Sequence, residues 1–277
     1  MDLEEALASL KAQLLPISEV EHCALQHSRG RVLAKPVTAQ LSLPPFRASA
    51  MDGYAIQAGK HDQILNVIGE SLAGHPFQGD IGPGECVRIF TGALVPANAD
   101  QIILQEEVSA REGRQVRFNV HSPSESYIRP IGNDLKVGSQ IAAQGDVLNP
   151  FLMGSLASAG VSVVEVFRKP VIGVFSSGDE LRDPGVAVED LLAGQIYDSN
   201  RLTVMQLLAT LPVEVRDLGR LADDAGAVSE ALANGALDCD AMITSGGVSV
   251  GDADYISETI EKLGTLAFWR LNLKPGK

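Results

Sequence analysis

Leu3, Leu7, Leu10 and Leu14 recur at helical spacing behind Asp2, with Glu5 three residues after it. A side-chain acceptor followed at that distance by Glu makes a capping box, so the pattern predicts a helix over 2–15. From there to about residue 145 the texture changes: apolar runs are short, Gly and Pro frequent, helical periods few. The runs Gln63–Ile68, Cys86–Phe90, Gln101–Gln105 and Gln115–Val120 are predicted strands between turns, and the stretch reads as a mostly β domain. Asn149-Pro150 then predicts a helix start, Asn as cap and Pro in the first turn, with Phe151–Ala159 helical and Gly160 closing it.

Beyond Val161–Phe167 strands and helices alternate. Strands are predicted at Val171–Phe175, Val213–Leu218, Ala241–Thr244 and Leu266–Leu273, and helices at Ser199–Leu211, Asp224–Ala233 and Asp254–Leu263. That alternation is the signature of an α/β domain with a largely parallel sheet, whose ligands bind at the carboxyl ends of the strands. The expected fold class is α/β plus β, in several domains.

Composition removes several functions. Cys23, Cys86 and Cys239 are far apart and odd in number, with no CxxC pair, which argues against a disulfide framework and a zinc knuckle. A reducing cytoplasm is the expected location. The opening Met1-Asp2-Leu3-Glu4-Glu5 is acidic where a signal peptide is basic. No apolar run approaches the ~20 residues of a membrane span. A net charge of −13 argues against nucleic acid as partner. An anionic small ligand is compatible with that charge only at a locally basic site or beside a metal ion.

Five segments carry candidate chemistry. Pro44–Ile56 surrounds the single carboxylate of Asp52 with small residues, although Asp52-Gly53 alone is an ordinary turn signal. Arg88–Pro96 ends a strand in Thr91-Gly92, a hydroxyl beside free amides. Phe175–Leu181 follows the first parallel strand: Ser176, Ser177 and the Gly178 amide suit a phosphate or pterin group, and Asp179 and Glu180 suit a metal. Thr244–Tyr255 runs a strand through Ser245, Gly246, Gly247 and Ser249 into a helix, with Asp252 and Asp254 at its start. Backbone amides at such a helix start attract anions, though neither a P-loop nor a dinucleotide fingerprint is present. Arg270–Lys277 gathers Arg270, Lys274 and Lys277 in an otherwise acidic chain, local positive charge of the kind a phosphate needs.

Taken together, Ser49–Ile56, Arg88–Pro96, Ile128–Gly138, Phe175–Leu181, Gln195–Arg201, Ser245–Tyr255 and Phe268–Lys277 resemble, in order, the molybdopterin molybdenumtransferase family, which includes bacterial MoeA and the C-terminal part of gephyrin. The resemblance implies a homodimer of elongated subunits. It divides this chain into a linker and dimerisation domain (1–40 and 141–168), a β-rich domain (41–140) and a MogA-like doubly wound molybdopterin-binding α/β domain (169–277). It also implies that the α/β domain continues beyond Lys277 and that a C-terminal β domain follows, so the sequence is expected to be a fragment. The family reaction takes adenylylated molybdopterin and molybdate, splits the pyrophosphate link with Mg²⁺, and releases AMP. Carried over by motif, Asp52 and Thr91 are expected to complete the site from the partner subunit. Glu180, Asp223 and Asp254 are its acidic positions, Glu180 and Asp254 holding Mg²⁺ beside the terminal phosphate. Arg270, Lys274 and Lys277 supply positive charge, with Arg270 standing where a relative carries Lys. Ser176, Ser177, Gly178, Asp179, Ser245, Gly246, Gly247, Ser249 and Asp252 form the cofactor cradle. Two alternatives share parts of this pattern: an adenylyltransferase built on the α/β domain, which lacks the β-rich half, and a non-catalytic gephyrin-like scaffold, which nothing in the sequence supports positively.

Overall fold

The computed structural model describes residues 1–60, 63–119, 125–222, 224–246, 255–268 and 271–272. The chain divides into two compact units that alternate along the sequence: Met1–Cys23, Ser28–Ala34 and Glu165–Lys277 form one, Ala24–His27 and Lys35–Val164 the other. Mixed α and β architecture matches the expected fold class.

The first helix spans Leu3–Gln13 and carries the predicted capping box: Asp2 accepts from the Glu5 amide at 2.9 Å, and the Glu5 carboxylate accepts from the Asp2 amide at 3.2 Å. Ala6 is its buried residue, while Leu3, Leu7, Leu10 and Leu14 stay 41–69% exposed.

The second unit is built on a six-stranded sheet in the order Gln101–Leu104, Gly53–Ile56, Glu85–Ile89, Ile64–Ser71, Gln115–Phe118, Val108–Glu112. Neighbours are antiparallel except Ile64–Ser71 with Glu85–Ile89, which run parallel. Both faces are covered. Ala55, Val87, Ile89 and Ile102 pack on one side, and Tyr54, Ile56, Cys86 and Ile103 on the other. Successive side chains point to opposite faces, so a strand covered on both reads as an apolar run with few interruptions; in Cys86–Phe90 the interruption is Arg88. Burial pushes the Cys86 thiol up to about 12, so it is an inert core group. The Gly53–Ile56 strand escapes the sequence pattern because its first residue belongs to a turn dipeptide. Its glycine is demanded by packing: a β-carbon there would stand 2.1 Å from the Ile103 carbonyl oxygen. The helix Pro150–Ser158 forms as expected, with Asn149 accepting from the Leu152 amide at 2.9 Å.

The first unit holds a parallel sheet of three strands, Glu214–Leu221, Val171–Ser177 and Ala241–Ser245, with Val171–Ser177 central. Phe175 packs with Val228, Leu232 and Ile256 from the helices Ala225–Asp238 and Tyr255–Leu263. Ala225–Asp238 runs past its expected end at Ala233 because Gly235, which would close a helix in solvent, is buried against Met242. The helix Asn200–Leu208 is shorter than expected and buries none of its residues fully. Of the predicted strand Leu266–Leu273, residues 266–268 and 271–272 are described and are not in a strand. Among the described residues no helix is long and apolar enough to cross a membrane.

At the amino end of this sheet Asp240 accepts from both terminal nitrogens of Arg168, at 2.6 and 2.8 Å, and from the Val171 amide at 2.7 Å. The Arg168 hydrogen bonds first, and the Val171 amide second, hold its carboxyl down to about 2 from an ordinary 3.8. A carboxyl whose folded pKa is depressed stabilises the fold above its ordinary value and loses that contribution as the pH falls through the folded one. Asp240→Asn is therefore expected to melt below the wild-type chain at pH 6, with the gap closing between about pH 4 and 2. A gap that stays constant across this window would overturn the assignment.

Candidate functional site

In the β-rich unit Asp52 stands just ahead of the strand Gly53–Ile56, and Thr91 lies two residues beyond Glu85–Ile89. These strands are antiparallel neighbours with Gly53 opposite Ile89, so the two chain turns converge. Thr91 donates to Asp52 twice, from its amide at 2.8 Å and its hydroxyl at 2.7 Å, both to Oδ1. The amide bond first, the hydroxyl second and the Arg88 charge last hold the Asp52 carboxyl below the usual carboxylate range. It is ionised at neutral pH. Because both donors share Oδ1, Oδ2 has no partner among the described residues. With its proton committed to Asp52, the Thr91 hydroxyl offers outward only lone pairs. The pair thus suits a cation or a group rich in N–H donors and repels a bare oxyanion.

Ile128–Arg129 pairs with Ala48–Ser49 immediately upstream of Asp52. Arg129 forms an ion pair with Asp134, and Asn133 donates to Asp134 at 2.9 Å. The Arg129 hydrogen bond, then that of Asn133, lowers the Asp134 carboxyl. Asp134 lies within the Ile128–Gly138 stretch, but no spacing singles it out, and only the strand pairing brings it forward.

In the α/β unit the central strand ends in Ser176 and Ser177, where a parallel sheet binds ligands. Ser176 pairs in register with Ser245 on one side and Arg220 on the other. Two of the expected cofactor segments are therefore neighbours. Gly246, at φ +95°, makes this possible, since a β-carbon on it would lie 2.4 Å from the Ser177 carbonyl oxygen. Gly178 is buried, and its carbonyl accepts from Arg220 at 3.3 Å. That puts on the loop a cation that sequence reasoning missed. Asp179 and Glu180 are exposed, and the Glu180 carboxylate bends back over Gly178.

Ser176 is fully buried and donates to Asp198 Oδ2 at 2.5 Å, so its hydroxyl anchors the strand end from within and does not face a ligand. Asp198 also accepts from the Arg201 amide at 3.1 Å and from Arg201 Nε at 3.0 Å. Arg201 reaches on to Asp217 at 2.6 Å and to Asp183. Burial pushes the Asp198 carboxyl up, but the bonds from Ser176 and Arg201 outweigh it and hold the group below its ordinary value. Asp198 and Arg201 fall inside the Gln195–Arg201 stretch; their roles depend on partners far along the chain, which no local pattern reveals.

Asp223, Gly247, Ser249, Asp252, Asp254, Arg270, Lys274 and Lys277 lie outside the described residues. Of the two expected Mg²⁺ ligands Glu180 is described. Its exposed carboxylate is a hard oxygen donor that fits an ion held by one or two carboxylates together with substrate phosphate. Among the described residues no three metal-ligating side chains cluster.

Residues 1–160 match a model described as the MoeA N-terminal region (domain I and II), and residues 173–277 one described as a probable molybdopterin binding domain. A molybdopterin molybdenumtransferase of Haemophilus influenzae is 39% identical over all of this chain and 68% of its own length. One from Nostoc is 31% identical over all of this chain and 64% of its own length. Dictyostelium discoideum gephyrin is 32% identical over 99% of this chain and 42% of its own length. Two crystal structures of a molybdopterin biosynthesis MoeA protein from Pyrococcus horikoshii superpose at TM-scores of 0.79 and 0.78 with 29% identity, covering 100% and 89% of this chain and 70% and 66% of theirs.

Proposed function

The chain belongs to the molybdopterin molybdenumtransferase family, transferases of molybdenum cofactor biosynthesis, and on that premise we propose that it transfers molybdenum from molybdate into adenylylated molybdopterin with release of AMP. The observation that carries this reading is the Asp52–Thr91 pair: an ionised carboxylate locked through Oδ1, with Oδ2 open, in a β-rich unit that an adenylyltransferase has no use for.

In this reading Glu180 and Asp254 hold Mg²⁺ against the pyrophosphate, whose negative charge the bound ion would neutralise. Asp223 adds a further carboxylate. Gly246, Gly247 and Ser249 cradle phosphate or pterin, with Ser177, Gly178, Asp179, Ser245 and Asp252 around them. Arg270, Lys274 and Lys277 neutralise the anion, and Arg220 beside Gly178 extends that positive charge. The anionic ligand thus meets local cations on a body of net charge −13. Asp52 and Thr91, being acceptors, face the donor side of the substrate from a partner subunit in a cytoplasmic homodimer. The open apolar stripe of Leu3, Leu7, Leu10 and Leu14 supports the dimer, because a helix leaves such a stripe uncovered when another chain covers it.

The test is AMP release from adenylylated molybdopterin by the 277-residue chain with Mg²⁺, with and without molybdate. Molybdate-dependent release is expected. ATP consumption without AMP release would place the chain with the adenylyltransferases, and tight binding without turnover would favour the scaffold.

A further inference from the structure

Arg88 sits between two rings, its guanidinium carbon 5.1 Å from the Tyr54 centroid and 4.5 Å from that of Phe90. Its terminal nitrogens fork to two acceptors, Nη1 to the Gly53 carbonyl at 2.7 Å and Nη2 to Gln105 Oε1 at 2.6 Å. The Gln105 backbone N–H in turn donates to the Asp52 carbonyl at 3.2 Å. The carbonyls of Asp52 and Gly53 are thereby both held, Gly53 by Arg88 and Asp52 by the backbone of the residue whose side chain Arg88 grips. On the other side the ring stacked on the guanidinium belongs to Phe90, the residue bonded to Thr91. One side chain therefore braces the backbone on each side of the Asp52–Thr91 pair. On this face Arg88 has apolar neighbours in Tyr54 and Cys86, and Glu70 stands opposite it in register on the adjacent strand. The fork to Gly53 and Gln105 is what an aliphatic residue of the same size would not supply.

We infer that Arg88 is the positioning residue of the Asp52–Thr91 pair: it aims the open oxygen of Asp52 by fixing the two turns that meet there, without touching substrate. The catalytic part of this inference rests on the function proposed above. Among the described residues Arg88 is the cation acting on Asp52. Lysine keeps the charge but neither forks nor stacks as a planar guanidinium does, so geometry and charge are separable by substitution.

The experiment compares wild-type, Arg88→Lys, Arg88→Gln and Gln105→Ala chains in two assays. Titration of the Asp52 carboxyl is followed by carbon NMR, with Asp52→Asn identifying the resonance, alongside kcat and KM for AMP release. The Asp52 midpoint is expected below the ordinary carboxylate value in the wild-type chain and is expected to move up toward it in Arg88→Gln. Both Arg88 variants are expected to lose about tenfold or more in kcat with KM within about twofold. Gln105→Ala, which removes one arm of the fork at an exposed side chain, is expected to lose less. That variant keeps the idea open to refutation should the Arg88 variants fail to fold. An unmoved Asp52 midpoint in folded Arg88→Gln would overturn the inference, as would full rescue of kcat by lysine or a wild-type kcat in all three variants. A wild-type chain that releases no AMP would refute the proposed reaction, while the Asp52 midpoint would still decide whether Arg88 positions the carboxylate.

Discussion

Asp52→Ala is expected to lower molybdate-dependent AMP release by about a hundredfold or more while the chain remains folded. The two effects separate because of where the residue sits. Its carboxylate is solvent-facing and, among the described residues, bonded only to Thr91, so its removal orphans no buried group there. What it removes is an ionised acceptor held in one orientation, a preorganised charge that a flexible surface carboxylate would not supply. Asp52→Asn sharpens the test, since the amide oxygen still accepts from Thr91 but the charge is gone. Loss in both variants assigns the effect to charge; loss in the alanine variant alone assigns it to shape. Thermal melts and single-turnover AMP release on the same preparations measure both. Wild-type release from Asp52→Ala would remove the residue from the site.

Asp198→Ala is expected to destabilise the chain strongly, by about 3 kcal/mol, because it leaves buried partners behind. The Ser176 hydroxyl is fully buried and would lose its acceptor, and the Arg201 side chain, 12% exposed, would lose its least exposed carboxylate partner. Urea unfolding followed by a probe of the α/β unit measures it. Asp198→Asn should cost less, since its oxygen still accepts from Ser176. The pH dependence follows the direction of the pKa. With the folded value below the ordinary 3.8, the stabilisation is present above about pH 4 and lost as the pH falls through the folded value. Wild-type stability in Asp198→Ala would mean that the strand end is held by other contacts. The substitution is also expected to loosen the turn that carries Glu180, because Arg201 ties Asp198 to Asp183 and Asp217.

Much of the fold is legible where cause and effect lie within a few residues of one another. The capping box at Asp2 and Glu5 and the Asn149-Pro150 helix start are local hydrogen-bond patterns, and they form where the sequence puts them. The central strand Val171–Ser177 is legible because it is a short apolar run between turn signals, as burial on both faces requires. Glu214–Leu221 carries Glu214, Arg216, Asp217 and Arg220, and it is legible only from its place in the alternation of strands and helices. The Gly53–Ile56 strand was not legible. Its partners are Glu85–Ile89 and Gln101–Leu104, and an Asp-Gly pair looks the same whether it makes a surface turn or enters the middle of a sheet. The strand expected at Leu266–Leu273 shows the converse, since residues 266–268 and 271–272 are apolar enough for a strand yet are not in one.

The candidate site divides along the same line. Residue types and spacing marked the Ser176–Glu180 turn and Ser245-Gly246 as candidates at strand ends, whereas Asp52 and Thr91, weak turn signals by themselves, were nominated by the ordered resemblance of whole stretches. Which oxygen of Asp52 is free, and that Ser176 faces inward to Asp198, follow from bonds spanning 39 and 22 residues. Arg220 lies in none of the candidate stretches, and Arg88 and Arg201 stand at the ends of two of them with nothing local to show their roles. A cation's role is set by what lies around its guanidinium, and only the folded backbone brings Gly53, Gln105 and Phe90 to Arg88, Gly178 to Arg220, and three carboxylates to Arg201. The sequence by itself determined the elements whose signals are local and the chemistry available to them; the tertiary structure decided the rest of the strands, which of those groups are anchored inside and which are left facing outward to react.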